Sequence, residues 1–188
     1  MFKRQQHRRT LQQRLGQRQT LARIAQPLRR RAGEGLALAE SLLQRAAVLL
    51  AFEQIGGADR ALEMAKDYAM NRYAFGRPIG SYQAIKHKLA DMYVKNELAR
   101  SNAYYGAWAL ETGASELPLA AASARVAACE AYWYAAKENL QTHGGIGFTW
   151  QMDCHLFYRR AQQLGLVAGA SKAWKERLVS QLERRNAA

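Results

Sequence analysis

The sequence contains very little cysteine and proline. Among its 188 residues there are two cysteines, Cys129 and Cys154, and three prolines. So few cysteines cannot build a disulfide scaffold or a cysteine-based zinc site, and their scarcity favours a reducing compartment. We therefore expect an intracellular protein in which both cysteines pack in the core.

Long uncharged apolar runs are also absent. No segment reaches the roughly 18 consecutive apolar residues that a membrane span requires. The N-terminus lacks the compact apolar core of a secretory signal. The sequence therefore predicts neither a membrane span nor secretion.

Acidic residues are missing from the first 33 positions, and this explains the net charge of +13. After Glu34 the chain carries 18 basic against 15 acidic side chains counting Glu34 itself, so the body is nearly neutral. A specific nucleic-acid-binding face is therefore not predicted. Residues 1–34 are expected to form a basic tail that is disordered or a non-native extension. Polyanion or acidic membrane binding and a mitochondrial transit peptide remain alternatives.

From residue 35 onward, alanine, leucine and tyrosine recur at helical spacing. Breaks rich in glycine and proline follow residues 75, 112 and 143. The spacing predicts helices over about 36–73, 82–111, 119–141, 154–163 and 167–183, with Ser81 capping the second. No strand-period segment stands out. The predicted fold class is all-α, an antiparallel four-helix bundle over residues 35–188.

Two segments carry residues suited to ligand binding. The corner after the first helix reads NRYAFGRPIGSYQAIKHKLADM and contains Arg72, Phe75 and Gln83. A guanidinium binds pyrophosphate, a ring stacks and an amide donates hydrogen bonds, although Arg72 and Gln83 could instead tie the corner together. The second segment, QTHGGIGFT, places Gly144 and Gly145 where a ligand can reach the backbone.

The order of these residues resembles two signatures of the acyl-CoA dehydrogenase family, RxxFGxxIxxxQxxxxxLAxM and QxxGGxG. The likeness covers about residues 35–182. It implies the C-terminal helical domain of a flavoprotein that uses FAD to dehydrogenate acyl-CoA thioesters between the α and β carbons. It also implies that this domain takes part in dimer or tetramer formation.

The resemblance further assigns roles to individual residues. It implies that Arg72 meets the FAD pyrophosphate and that Phe75 and Gln83 line the same pocket. It also implies that three residues of the second segment approach the ADP half of a flavin held mainly by a partner subunit: Gln141, Gly144 and Gly145.

The sequence departs from the family at the catalytic base. Some members carry this carboxylate in a Tyr-Glu-Gly-Thr stretch, where the matching residue here is Ala168. Others carry it ten residues before a glycine that matches Gly56, and that position is Ala46. Alanine cannot accept a proton, and Glu53 or Glu40 would need a different orientation to replace the base. No catalytic residue is therefore predicted.

The family's N-terminal helical domain and middle β domain have no counterpart in the pattern of residues 1–32. We therefore expect a truncated chain, incomplete or non-catalytic on its own. It would act as a homo-oligomer or with a full-length dehydrogenase subunit on acyl-CoA, in the bacterial cytoplasm or alternatively the mitochondrial matrix. The alternative is a catalytically dead remnant, or a subunit that contributes to FAD binding or to oligomerisation. No metal site is predicted, because His87, His143 and His155 lack metal-ligand spacing, and we expect them to be packing or surface residues.

Overall fold

The computed structural model describes residues 35–187, and this part of the chain contains five α-helices and one short β-hairpin. The interpretations of residues 1–34 given above lie outside the described residues. The helices are α1 (Gly35–Asn71), α2 (Gln83–Thr112), α3 (Leu117–His143), α4 (Cys154–Leu166) and α5 (Ser171–Asn186), and the strands are β1 (Tyr73–Ala74) and β2 (Arg77–Pro78). Short 3-10 helices occupy Ile79–Ser81 and Gly144–Phe148. The predicted all-α class is confirmed.

The chain divides into two units after residue 41, and the described part of the first unit is the first turns of α1. The second unit begins at Leu42. In the second unit α3 packs against α2, α4 and α5, and it therefore forms the centre of the bundle.

Several predicted helix ends are wrong for local reasons. Ser81 does not cap α2, because it lies in a 3-10 turn and its hydroxyl donates to the carbonyl of Pro78 at 2.7 Å. The N-cap of α2 is Tyr82, which makes no side-chain capping bond. The last helix begins at Ser171 rather than near residue 167, because Ala168 and Gly169 adopt positive φ angles that a helix cannot contain. The hairpin was not predicted, because strands of two residues leave no alternating pattern.

The core is built mainly from alanine. A stripe of small side chains on α1 faces α2 and α3, and its fully buried members are Ala47, Ala51, Ala58, Ala61, Ala65 and Ala69. The larger Leu42 and Leu49 on the same helix are more than half exposed. Small side chains at a helix contact allow the helix axes to approach closely.

Because alanine buries little area, other side chains fill the interior. Four of its largest fully buried side chains are polar: Arg125, Gln54, Asn96 and Asn139. Buried polar groups of this kind require hydrogen-bond partners. The bundle therefore depends on specific polar contacts as well as on apolar burial.

Within the described residues, α1 is the one helix long and apolar enough to cross a membrane by length and composition alone. Core helices of soluble proteins share that composition. Only 17% of the apolar window of α1 is buried inside the bundle, and a single helix of this kind is weak evidence for a membrane span.

Both cysteines are unpaired and buried, as predicted. Burial raises the pKa of the Cys154 thiol to about 11, since a thiolate would lose its hydration there. Above pH 9 the unfolded chain loses this proton before the folded chain does, so the stability of the fold falls as pH rises from about 9 to 11. We expect this decline to be shallower in Cys154→Ala. Urea unfolding at pH 8 and pH 10.5 tests it, and parallel losses in both proteins would contradict it.

Candidate flavin-binding face

The first candidate segment forms a tight hairpin immediately after α1. Strands β1 and β2 pair antiparallel, with Ala74 opposite Arg77, and leave two residues in the turn. These residues, Phe75 and Gly76, have φ angles of 53° and 80°, as in a type I′ turn. Glycine accepts this conformation easily, whereas a phenylalanine is strained in it. The Phe75 side chain is 97% exposed, so packing within this chain does not explain the strained aromatic.

The corner between α1 and α2 is held by contacts other than those considered from sequence. The amide of Ile79 donates to the carbonyl of Arg72 at 2.8 Å, and the Tyr82 hydroxyl donates to the carbonyl of Ala74 at 3.0 Å. A side chain at Gly80 would lie 3.0 Å from the carbonyl oxygen of Ala69, so a glycine allows the close approach there.

The side chains of Arg72 and Gln83 take no part in tying this corner together. Both are exposed, and neither makes a side-chain hydrogen bond or ion pair with other residues in the described part of the chain. The guanidinium and the amide therefore remain available to a ligand.

The second candidate segment follows the end of α3. Gln141 is exposed on the last turn, and its carbonyl accepts the amide of Gly144. Gly144 has a φ of 63°, and a side chain at Gly144 or at Gly145 would meet no atom within 4 Å. The open space at both exposed glycines leaves room for a phosphate or sugar beside the backbone. Gly147 differs, because a side chain there would lie 2.8 Å from the carbonyl oxygen of Leu140.

The fold brings the two segments together at one end of the bundle. The ring of Tyr68 stacks on that of His143, with centroids 4.1 Å apart and planes 28° from parallel. Tyr68 lies one helical turn before Arg72, and its carbonyl accepts the Arg72 amide at 2.8 Å. His143 immediately precedes Gly144. The stack therefore joins the ends of α1 and α3 that carry the two motifs.

The two positions that the resemblance assigns to the family base are occupied by alanines. Ala46 is partly buried on α1, and Ala168 has a φ of 60° in the connection between α4 and α5. This connection is held from both sides. The Arg125 guanidinium donates to the carbonyl of Val167 at 2.6 Å, and Trp174 Nε1 donates to the carbonyl of Ala168 at 3.0 Å.

Glu53 does not lie at the position of the base on α1. Arg160 donates to Glu53 Oε1 through Nε at 2.9 Å and through Nη2. Glu53 follows Ala46 by seven residues on α1, a rise of about 10.5 Å along a helix. The ion pair with Arg160 and the separation from Ala46 both argue against Glu53 as the base.

Three residues important to this face or its support were not singled out for these roles from sequence. Tyr68 carried no signal, His143 was interpreted as a packing or surface residue, and Arg125 was not considered. The nearest available signal was the position of His143 directly before Gly144-Gly145. Among the described residues, no group of His, Cys, Asp and Glu is arranged to hold a metal ion.

Residues 33–182 match the family model of the acyl-CoA dehydrogenase C-terminal domain. The chain therefore belongs to the acyl-CoA dehydrogenase family. Members of this family are flavoproteins that act as oxidoreductases.

Individual relatives agree with this assignment. The chain is 44% identical over 137 residues to acyl-CoA dehydrogenase IpdE2 of Mycobacterium tuberculosis, covering 73% of this chain and 41% of that protein. The butyryl-CoA dehydrogenase structure from Megasphaera elsdenii matches with a TM-score of 0.78 at 27% identity, over 81% of this chain and 39% of that one. The ChsE4-ChsE5 complex of Mycobacterium tuberculosis matches with a TM-score of 0.71 at 28% identity, over 76% of this chain and 38% of that one. The chain thus spans about two fifths of the length of these relatives.

Proposed function

We propose that the chain serves as the C-terminal helical domain of an FAD-dependent acyl-CoA dehydrogenase and contributes flavin-binding and subunit-contact surface without the catalytic base. The main support for this proposal is a contrast between the positions assigned to flavin binding and the positions assigned to the base. The motif residues assigned to flavin are exposed: Arg72, Phe75, Gln83, Gln141, Gly144 and Gly145. Both positions of the base hold alanine.

The residues on this face fit a dinucleotide. The Arg72 guanidinium offers donors to a pyrophosphate, and charge-assisted hydrogen bonds of this kind are strong. The backbone at Gly144 and Gly145 can approach the ADP half, while the Phe75 ring and the Gln83 amide would orient the ligand. When bound, FAD supplies the acceptor for the hydride that the family reaction removes from the β carbon.

The proton from the α carbon needs a separate acceptor. Ala46 and Ala168 cannot take it, and Glu53 is paired with Arg160. We therefore assign the base to another subunit or another segment of the complete enzyme.

An oligomer is the natural setting for this division of roles. Exposed aromatic side chains flank both motif segments: Tyr73 and Phe75 on the hairpin, and Phe148 and Trp150 after the glycines. Exposed aromatic groups of this kind are typical of interaction surfaces. We propose a homodimer, a homotetramer or a hetero-oligomer with a full-length dehydrogenase subunit, acting on an acyl-CoA in the cytoplasm.

The visible absorption spectrum tests this function. The chain is purified alone and after co-expression with a full-length acyl-CoA dehydrogenase subunit. In the co-expressed sample we expect a flavin spectrum that bleaches when an acyl-CoA is added, with more FAD per full-length subunit than that subunit binds when purified alone. A colourless chain on its own, together with no increase in FAD per full-length subunit on co-expression, would overturn the proposal and favour a bundle that keeps the family fold without its chemistry.

Arg72→Ala should weaken FAD binding by about tenfold to a hundredfold, because a hydrogen bond between charged groups contributes about 1.5–3 kcal/mol. The matched control is Arg60→Ala, which removes the same charge from an exposed position on α1, where Arg60 pairs with Glu63 at 3.0 Å. Flavin fluorescence titration of the assembled protein measures both. Equal affinity in the two variants would contradict the role of Arg72.

A further inference from the structure

The contact between Tyr68 and His143 links two segments that are 75 residues apart in the sequence. Each ring lies next to a candidate ligand-binding group, since Arg72 is one turn beyond Tyr68 and Gly144 directly follows His143. A change in either ring can therefore alter the distance between the guanidinium and the glycine backbone.

The surroundings of His143 argue that packing alone does not explain this residue. Its side chain is 3% exposed. Nδ1 lies 2.9 Å from the carbonyl oxygen of Asn139, so Nδ1 carries the proton and donates to that oxygen. Nε2 is buried and has no hydrogen-bond partner among the described residues. An unmet buried acceptor costs stability, and an apolar side chain of similar size would avoid the cost.

The stack also restrains the His143 ring. Its Nδ1 bond holds one edge against α3, while Tyr68 covers one face. The following residue, Gly144, has a positive φ and no side chain to fix its orientation. The ring is therefore the last anchored side chain before the open glycine backbone.

We propose that Tyr68 and His143 are a pair of positioning residues that hold the Arg72 corner and the Gly144–Gly145 backbone at the separation a dinucleotide requires. This inference rests on the proposed flavin-binding function. The pair acts through its neighbours and need not touch the ligand. Holding both segments in place before binding reduces the entropy lost when the ligand meets them.

The test compares ring removal with ring conservation in the full chain, in the oligomer in which it is purified. Tyr68→Leu and His143→Leu remove one ring each, whereas Tyr68→Phe and His143→Phe retain a ring that can stack. The matched control is Tyr158→Leu, which breaks another ring contact of α3, that between Trp133 and Tyr158 with centroids 4.9 Å apart. FAD affinity is measured by flavin fluorescence, and hydrogen exchange is measured at the Gly144 and Gly145 amides.

Both leucine variants at the stack should bind FAD about tenfold more weakly, with faster exchange at the two glycine amides. The phenylalanine variants should stay within about threefold of the unmodified protein, since they keep the stacking surface. Tyr158→Leu should lower the melting temperature without changing FAD affinity.

Unchanged FAD affinity in His143→Leu would overturn the inference, as would an equal loss in His143→Phe. If the unmodified assembly binds no FAD, the proposed function fails, and the ligand-positioning role fails with it. In that case hydrogen exchange at the Gly144 and Gly145 amides still shows whether the stack orders the glycine backbone. Failure of the proposed flavin binding is thereby distinguished from failure of the stack to order these glycines.

Discussion

Replacing Arg125 with alanine should lower the free energy of unfolding by about 3–5 kcal/mol, because it removes a large buried side chain and leaves several buried acceptors without donors. The Arg125 guanidinium is fully buried. It donates to Gln54 Oε1 at 2.7 Å and to the carbonyl oxygens of Leu164 and Val167. These contacts join α1, α3 and the end of α4.

None of these partners carries a formal charge, and burial lowers the pKa of Arg125 because the cation loses its hydration. The carbonyls of Leu164 and Val167 lie at the C-terminal end of α4, where the helix dipole is negative and compensates a cation. A hydrophobic side chain at position 125 would leave the carbonyl oxygens of Leu164 and Val167 without this donor, because a side-chain substitution cannot remove a backbone carbonyl.

Three variants separate charge, shape and hydrogen bonding at this position. Arg125→Met keeps much of the volume and should still lose about 2–4 kcal/mol, because the acceptors remain unpaired. Arg125→Lys should recover part of the loss, since it retains the charge but lacks the planar fork of donors. The control Arg100→Ala removes a partly exposed partner of Asp59 and should cost about 1 kcal/mol.

Urea unfolding of the full chain measures all four variants against the unmodified protein. Arg125→Met with the stability of the unmodified protein would show that the buried cation is dispensable. The prediction also concerns the site, because Val167 directly precedes Ala168. A loosened connection should appear as faster hydrogen exchange at the amides of residues 168–170.

The sequence was sufficient to predict the helices and the corners between them, because helical spacing and glycine-rich breaks are local features. Both motif segments could be found in the same way. The side of α1 that faces the core could not. Leu42 and Leu49 carry a stronger hydrophobic signal than Ala47 and Ala51, yet the alanines are buried and the leucines exposed.

The reason is that close helix packing selects small side chains, and a hydrophobicity pattern gives these little weight. Contacts between distant segments are likewise invisible in one sequence. Nothing local to Arg125 indicates that the carbonyl oxygen of Leu164 will accept from it, and nothing local to Tyr68 points to His143. These contacts arise only when the helices assemble. The assignments of Arg72 and Gly144 to flavin remain predictions, supported by their exposure in the fold.

Gly56 and Gly57 should respond to alanine in opposite directions, although they are neighbours on α1. A side chain at Gly57 would lie 2.5 Å from Tyr132 Cζ and 2.7 Å from its hydroxyl oxygen, and Tyr132 is 2% exposed. A side chain at Gly56 would meet no atom within 4 Å. The first glycine is therefore replaceable, whereas the second allows α1 to approach the Tyr132 ring on α3.

We expect Gly57→Ala to lower the free energy of unfolding by about 3 kcal/mol, because a rigid buried ring cannot move away without displacing a helix. Gly56→Ala should raise it by up to about 1 kcal/mol, since alanine favours the helix and restricts the unfolded chain. Thermal and urea unfolding of the two variants compare the same chemical change at adjacent positions. Equal effects would exclude the proposed close contact.

A double-mutant cycle identifies the ring as the cause of the difference. In a Tyr132→Leu background the clash at residue 57 is removed, so Gly57→Ala should become neutral or stabilising there. Tyr132→Phe should not relieve the clash, because the ring carbon at 2.5 Å remains in place when the hydroxyl is lost. If Gly57→Ala stayed equally destabilising in the leucine background, its cost would have to arise from the α1 backbone rather than from Tyr132.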